Sequence, residues 1–140
     1  MKVLPGKGVE GIKNVYSSIL DVLKKGDDYY AIQVDPELFK KDFIKFIQFY
    51  HKQRIRAGIK VKLLSNETTR KEVIKCMSIV SKGMEIKFTS RPIPAATLIF
   101  GDKVATFVWS NDPVCIVIQS KQIALRYKKF FEYLWNTAKK

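Results

Sequence analysis

The sequence predicts an α/β fold, a three-layer α/β/α sandwich around a mixed, largely parallel sheet. Three observations carry this prediction. Over residues 12–89, short β-rich runs alternate with segments whose apolar residues have helical spacing. This order is typical of strands joined by crossover helices. The pair Gly101-Asp102 then links two apolar runs as a hairpin turn, which adds at least one antiparallel pair of strands. A strongly amphipathic segment ends the chain as a capping helix.

The composition favours one folded domain with an excess of positive charge. The 140 residues are 46% hydrophobic and 12% aromatic, which argues against disorder and suits a single domain. There are 26 Lys and Arg against 13 Asp and Glu, so the net charge is +13. This excess favours an anionic partner such as nucleic acid, an acidic lipid or an acidic protein, although solubility alone would also explain it.

The chain is expected to be cytoplasmic and free of disulfide bonds. No apolar run approaches the roughly 20 residues of a membrane span, so no membrane partner is expected. The opening MKVLPGKGVEG has the features of neither a signal peptide nor a transit peptide. Cys76 and Cys115 lie within apolar segments, so we expect buried free thiols rather than a disulfide or a metal pair.

The first part of the chain predicts a lead-in, a helix and a strand. Residues 1–11 are rich in glycine and are expected to form a flexible lead-in, with the domain itself covering residues 12–140. Apolar residues recur at helical spacing over residues 11–25, which predicts a first helix. The run DYYAIQV at residues 28–34 predicts the first strand.

The second helix is predicted to begin at Asp35-Pro36-Glu37, because Asp caps a helix, Pro fits its first turn and Glu favours its positive end. It should end near Ala57, before Gly58. Four cations lie at helical spacing on its outer face, flanked by two more: Lys41, Lys45, Lys52 and Arg56, with Lys40 and Arg54 beside them. Such a face is either simply solvated or a ridge that binds phosphates or acids, and hence nucleic acid.

The later elements continue the pattern. Residues 59–64 and 84–89 are predicted strands on either side of a third helix, which begins near Thr68 or Thr69. Two prolines stiffen the connection to the hairpin over residues 95–111. A buried strand at residues 114–118 and the last helix complete the order of elements.

No pattern of catalytic residues is found, so we expect no enzyme activity, no metal site and no cofactor. The single histidine, His51, lies on a predicted helix, where a packed or solvated residue is expected rather than an acid–base catalyst. No group of His, Cys and carboxylates has metal-ligand spacing. The glycines of GKGVEG follow no predicted strand, so we do not expect them to form a phosphate-binding loop. A hydrolase would need chemistry that these residues do not display.

Polar residues at predicted strand ends indicate where a small anionic ligand would bind, because open α/β sheets hold ligands beyond their strand ends. Five such residues are Asn66, Glu67, Arg91, Ser110 and Asn111. Arg91 supplies the cation, although it would equally well pair with Glu67 or Asp112.

Two segments resemble the phospholipase D-like fold: RAGIKVKLLSNE at residues 56–67 and ATLIFGDKVATFVWSN at residues 96–111. That superfamily carries a His-x-Lys-x4-Asp motif in its later hairpin. With the acid at Asp102, the His and Lys positions are occupied by Ala95 and Thr97. The register shifted by one residue has Pro94, Ala96 and Gly101. Neither register has the nucleophilic imidazole or the phosphate-binding lysine, so phosphodiester cleavage by that mechanism is not expected.

The chain also resembles the effector domain of the archaeal TrmB family of transcription regulators, a phospholipase D-like domain without the catalytic motif. Four stretches carry this resemblance: VEGIKNVYSSIL, FYHKQRIRAGIKVKLLSNE, FGDKVATFVWS and RYKKFFEYLW. It implies a sensor or dimerisation domain in transcription regulation, with a homodimer formed through the last helix or the strand before it. In that family a winged-helix domain and a coiled coil precede this domain. We therefore expect a stand-alone chain with a winged-helix regulator or nucleic acid as its partner.

Overall fold

The computed structural model describes residues 1–33 and 40–140, which form one mixed sheet and four α-helices. The strands are β1 (Lys2–Lys7), β2 (Asp28–Gln33), β3 (Lys60–Asn66), β4 (Met84–Thr89), β5 (Ala96–Phe100), β6 (Lys103–Val108) and β7 (Val114–Gln119). The helices are α1 (Gly8–Val22), α2 (Lys41–Ala57), α3 (Arg70–Met77) and α4 (Lys121–Thr137). The predicted helix start at Asp35-Pro36-Glu37 lies outside the described residues.

The sheet has seven strands in the order β1-β7-β6-β5-β2-β3-β4. β2 is parallel to β3 and β3 to β4, whereas the other neighbouring pairs are antiparallel. The prediction of a largely parallel sheet is therefore wrong. Parallel neighbours need a long crossover, which α2 and α3 supply, whereas the short turns after β5 and β6 reverse the chain and produce antiparallel pairs.

Residues 1–11 do not form the lead-in that their glycines predict, because Lys2–Lys7 is the edge strand β1. Gly6 lies opposite Cys115 on β7, and a Cβ atom at Gly6 would overlap the Cys115 Sγ. Pro5 is tolerated because an edge strand does not need every backbone N–H for pairing. Gly8 then begins α1 with a positive φ of 68°. Gly6 leaves room for the Cys115 side chain, and Gly8 adopts a left-handed backbone angle without strain. The expectation that no strand precedes these glycines is therefore wrong.

Successive side chains of the central strands belong alternately to two hydrophobic cores, one on each face of the sheet. Ala31 and Leu63 belong to the core that includes residues of α1, α2 and α3. Their chain neighbours Ile32 and Leu64 belong to the core formed with α4. Successive side chains of a strand point to opposite faces, so β2 and β3 are apolar on both faces, as strands covered on each side should be.

The two cysteines are free thiols, with Cys115 buried and Cys76 half-buried. Burial raises the pKa of both thiols above the usual value. Cys76 is thus less buried than the sequence predicts, because it lies on the partly solvated side of α3. Among the described residues, no helix combines the length and the hydrophobicity that a membrane crossing requires.

Candidate functional site

Buried polar side chains lie together at one end of the strands, where β2, β3 and β4 end and β5 begins. Gln33, Ser65, Thr89 and Thr97 are all buried there. The Ser65 hydroxyl donates to the Gln33 carbonyl oxygen at 2.9 Å, and the Thr97 hydroxyl donates to the Ala95 carbonyl oxygen at 3.2 Å. The Thr89 hydroxyl accepts a hydrogen bond of 3.1 Å from the backbone N–H of Arg91. The Ser65 bond joins β3 to β2, whereas the Thr89 and Thr97 bonds lie within their own turns, so all three hydroxyls have partners within the fold.

Asn66 and Glu67, two of the predicted ligand residues, follow β3 and have partners in their own turn. The Asn66 Oδ1 accepts the backbone N–H of Thr68 at 2.9 Å and so caps a short 3₁₀ turn. The Glu67 carboxylate accepts two hydrogen bonds from Arg70, at 2.6 and 2.9 Å. These bonds lower the pKa of Glu67. Both side chains are therefore committed to the beginning of α3.

Arg91, the predicted anion-binding cation, is exposed beyond the end of β4. Its guanidinium lies 5.6 Å from the centroid of the Tyr133 ring on α4. No ion pair joins Arg91 to Glu67 or Asp112 among the described residues. The structure thus places Arg91 beside α4 instead of beside either predicted carboxylate.

The other two predicted ligand residues, Ser110 and Asn111, lie in the turn between β6 and β7. The Ser110 hydroxyl donates to the Asp112 carbonyl oxygen at 2.9 Å and accepts its backbone N–H at 3.2 Å. Ser110 and Asn111 line an open cavity of about 440 Å³ together with Val9, Lys40, Asp42, Phe43, Trp109 and Pro113. Asn66, Glu67 and Arg91 do not line this cavity, so the five residues do not share it.

His51 is buried in the helix layer, with 3% of its surface exposed. Its Nδ1 accepts a hydrogen bond of 2.9 Å from Arg54 Nε. Desolvation, reinforced by the Arg54 charge, lowers the pKa of His51 to about 3. Of the two sequence-based alternatives, packed or solvated, the packed histidine is confirmed.

Arg54 is completely buried, although the sequence suggests an outer cation beside the predicted ridge. Its guanidinium donates to the carbonyl oxygens of Ile59, Lys82 and Val80, at 2.8, 2.9 and 3.1 Å. The interpretation of Arg54 as a flanking surface cation is wrong, because these carbonyls at the end of α2 and after α3 need a buried donor.

The outer face of α2 carries Lys45, Lys52 and Arg56, all exposed as predicted. Lys41 begins the helix, but its side chain lies outside the described part of the chain. None of the three exposed cations forms an ion pair within the described residues. Phe49 lies among them with 59% of its surface exposed, and we call Lys45, Phe49, Lys52 and Arg56 the α2 basic face.

Phe49, which the sequence-based prediction did not single out, lies on the charged side of α2, opposite its apolar residues. Helical spacing could have identified Phe49, since it follows Lys45 by four residues and therefore lies on the same side of the helix. Buried Phe43, Ile47 and Tyr50 form the inner side of α2.

The end of α3 and the segment that follows it pack beside α2. The Gln48 Nε2 donates to the Cys76 carbonyl oxygen at 2.9 Å, and Arg54 binds the Lys82 carbonyl oxygen. Lys75 at the end of α3 and Lys82 after it are both exposed.

Comparisons with known proteins give similarity in fold but none in sequence. No protein-family model matches the chain, and no curated protein matches it. TrmBL2, described as an archaeal chromatin protein with a novel mode of DNA binding, superposes on 100% of this chain with a TM-score of 0.72 and 13% identity. This chain spans 55% of that TrmBL2 chain, about half its length.

Two bacterial proteins superpose over nearly their whole length. Nuc from Salmonella typhimurium, a phospholipase D family member, matches 99% of this chain and 96% of its own, with a TM-score of 0.72 and 18% identity. NucT from Helicobacter pylori matches 99% of both chains, with a TM-score of 0.63 and 12% identity. The chain therefore has a phospholipase D-like fold, which it shares with TrmBL2 and with these bacterial proteins.

Proposed function

We propose that the chain is a non-catalytic phospholipase D-like domain that acts in transcription regulation by binding. One observation carries this proposal. Among the described residues, the buried polar side chains where β2, β3 and β4 end and β5 begins are the amide of Gln33 and the hydroxyls of Ser65, Thr69, Thr89 and Thr97, and none of these is an imidazole or an amine. The hydroxyls are held in structural hydrogen bonds, so they are poor nucleophiles without an adjacent base.

The regulatory part of the proposal is supported by the shared fold with TrmBL2, which is described as a DNA-binding chromatin protein. The proposal also includes a three-layer α/β/α arrangement, supported by the separate cores that contain α1–α3 and α4.

An assay for phosphodiester cleavage tests the non-catalytic proposal directly. The purified protein is incubated with bis(p-nitrophenyl) phosphate and, separately, with supercoiled plasmid DNA. We expect no turnover above buffer. Turnover that is lost in Thr97→Ala, or that coelutes with the protein on size-exclusion chromatography, would contradict the proposal. Turnover that separates from the protein would identify a contaminating enzyme.

A dimerisation role is supported by exposed apolar residues on the α4 side of the outer strands. Val104 belongs to the core beneath α4, so Val108 on the same strand points to that side. Val108 pairs with Val114, which places Ile116 there too. Val108, Val114 and Ile116 expose 55%, 40% and 45% of their surfaces, and a homodimer would remove this apolar area from water.

A sensor role is supported by the cavity beside Ser110 and Asn111, which is large enough for a small anion. Titration with inorganic phosphate tests it. We expect Asn111→Leu to weaken phosphate binding. A loss of about tenfold or more in Arg91→Ala with Asn111→Leu unaffected would instead put the anion beside α4.

Nucleic-acid binding is the second candidate function, and the α2 basic face favours it. Its cations are exposed and lack ion pairs in the described structure, so they are available for phosphates. Three contacts to duplex DNA predict a slope of about −3 for the logarithm of affinity against the logarithm of salt concentration.

Variants of the face give the test of this second function. We expect the double variant Lys45→Gln, Lys52→Gln to reduce the slope by about 2. The matched control is Lys121→Gln, Lys129→Gln on α4, which carries equal charge loss on another helix. Equal reductions in both double variants would mean that binding depends on net charge alone.

A further inference from the structure

Phe49 exposes more of its surface than the other phenylalanines of α2. It is 59% exposed, whereas Phe43 is 5% exposed and Phe46 is half-buried beneath Lys13, whose Nζ lies 5.4 Å from the ring centroid. An isolated exposed aromatic side chain needs no explanation by itself. Here the ring lies in the middle of a row of cations, and this combination points to a ligand that has both charge and flat apolar surfaces.

The spacing along α2 sets the dimensions of the surface. Lys45 and Lys52 are seven residues apart, which corresponds to about 10 Å along the helix axis, with Phe49 between them. Arg56 lies about 6 Å further on. An extended anionic ligand that contacts these cations in turn would therefore pass over the phenyl ring.

We infer that the α2 basic face binds single-stranded nucleic acid, with Phe49 stacked on an unpaired base and Lys45, Lys52 and Arg56 bound to the neighbouring phosphates. This inference rests on the nucleic-acid function proposed above and specifies its substrate. Positively charged tracks with interspersed aromatic rings are how proteins bind single strands without sequence preference. In a duplex the bases are already stacked on each other, so Phe49 would have no base to contact.

The charges argue against a second copy of this chain as the occupant of the surface. Around a two-fold axis, the cations of one α2 basic face would meet the same cations of its partner, and like charges in contact are destabilising. The net charge of +13 acts in the same direction. A polyanion is the complementary partner.

Fluorescence anisotropy with labelled oligonucleotides tests the inference. The probes are oligo(dT) of about 12 nucleotides and a mixed-sequence duplex of the same length, titrated with the intact chain at several salt concentrations. We expect the single strand to bind more tightly than the duplex. Phe49→Ala should lose about fivefold or more in affinity for the single strand and leave duplex affinity unchanged.

Two further variants complete the design. Phe49→Trp should retain the affinity. Its tryptophan emission should be quenched by the single strand more than that of the original chain, which has two tryptophans of its own. Phe130→Ala removes a phenylalanine that is 46% exposed on α4, in the part of the chain that packs on the other core, and should leave single-strand binding unchanged. Circular dichroism of each variant verifies that the fold is retained.

The outcomes separate this inference from the function on which it rests. Absence of binding to both probes at low salt overturns nucleic-acid binding altogether. Salt-dependent binding of both probes that Phe49→Ala does not change leaves the basic face intact and overturns the stacking. A Phe49→Ala variant that changes the sedimentation coefficient instead would assign Phe49 to a protein interface and also overturn the inference.

Discussion

Arg54 donates a hydrogen bond of 2.9 Å from its Nε to the Nδ1 of His51, one turn earlier on α2, and both side chains are buried. The neutral imidazole can accept this bond, whereas an imidazolium could not and would repel the guanidinium. The stability of α2 in the fold therefore depends on the protonation state of His51.

Acid should destabilise the protein through His51. Its pKa is about 3 in the folded chain and 6.5 when unperturbed, so the unfolded state alone binds a proton between these values. Stability from this group is complete above pH 6.5 and falls by about 1.4 kcal/mol per pH unit as the pH decreases towards 3. Urea denaturation at several pH values measures the slope.

The variant His51→Gln keeps an acceptor for Arg54 and removes the titration. Its free energy of unfolding should depend less on pH over the same range than that of the original chain. If both chains show the same slope, His51 is not the group responsible.

Arg54→Leu should be strongly destabilising, because it leaves the buried carbonyl oxygens of Ile59 and Val80, and the partly buried one of Lys82, without their donor. We expect a loss of about 3 kcal/mol or more in the free energy of unfolding. The matched control is Arg56→Leu, two residues later on the exposed side, which should change stability by about 0.5 kcal/mol or less. Similar losses in both variants would contradict the structural role of Arg54.

Gly6→Ala should weaken the docking of β1, because the added methyl group would overlap the Cys115 Sγ. Overpacking of this kind costs about 1–3 kcal/mol. Cys115→Ala frees the space, so the double variant should recover part of the loss. A double-mutant cycle in thermal denaturation measures this coupling, and strict additivity of the two changes would show that the two residues do not press on each other.

Ile116→Lys should prevent association if the apolar surface of β6 and β7 is a homodimer interface. A lysine at this position would place a charge within the buried apolar area. Sedimentation velocity is expected to give a dimer for the original chain and a monomer for the variant. The control Ile79→Lys changes a residue that is 67% exposed beside α3 and should leave the mass unchanged. A monomeric original chain would end the dimer hypothesis.

Local signals in the sequence determined several elements almost to the residue. Alternation predicts a strand over residues 84–89, and β4 is Met84–Thr89. Gly58 ends α2 with a φ of 72°, a backbone angle that glycine adopts without strain. The exposure of Lys45, Lys52 and Arg56 also followed from helical spacing, because the opposite side of the helix is apolar.

Local patterns along the chain predict the apolar strands, the end of α2 at Gly58 and the charged side of α2. The tertiary fold makes Lys2–Lys7 a strand, because its hydrogen-bonding partner β7 lies more than a hundred residues away. It likewise buries Arg54, because the carbonyl groups that Arg54 binds come from separate segments. Spacing along a chain specifies which side of an element a residue occupies, but what lies opposite that side depends on distant segments meeting in space.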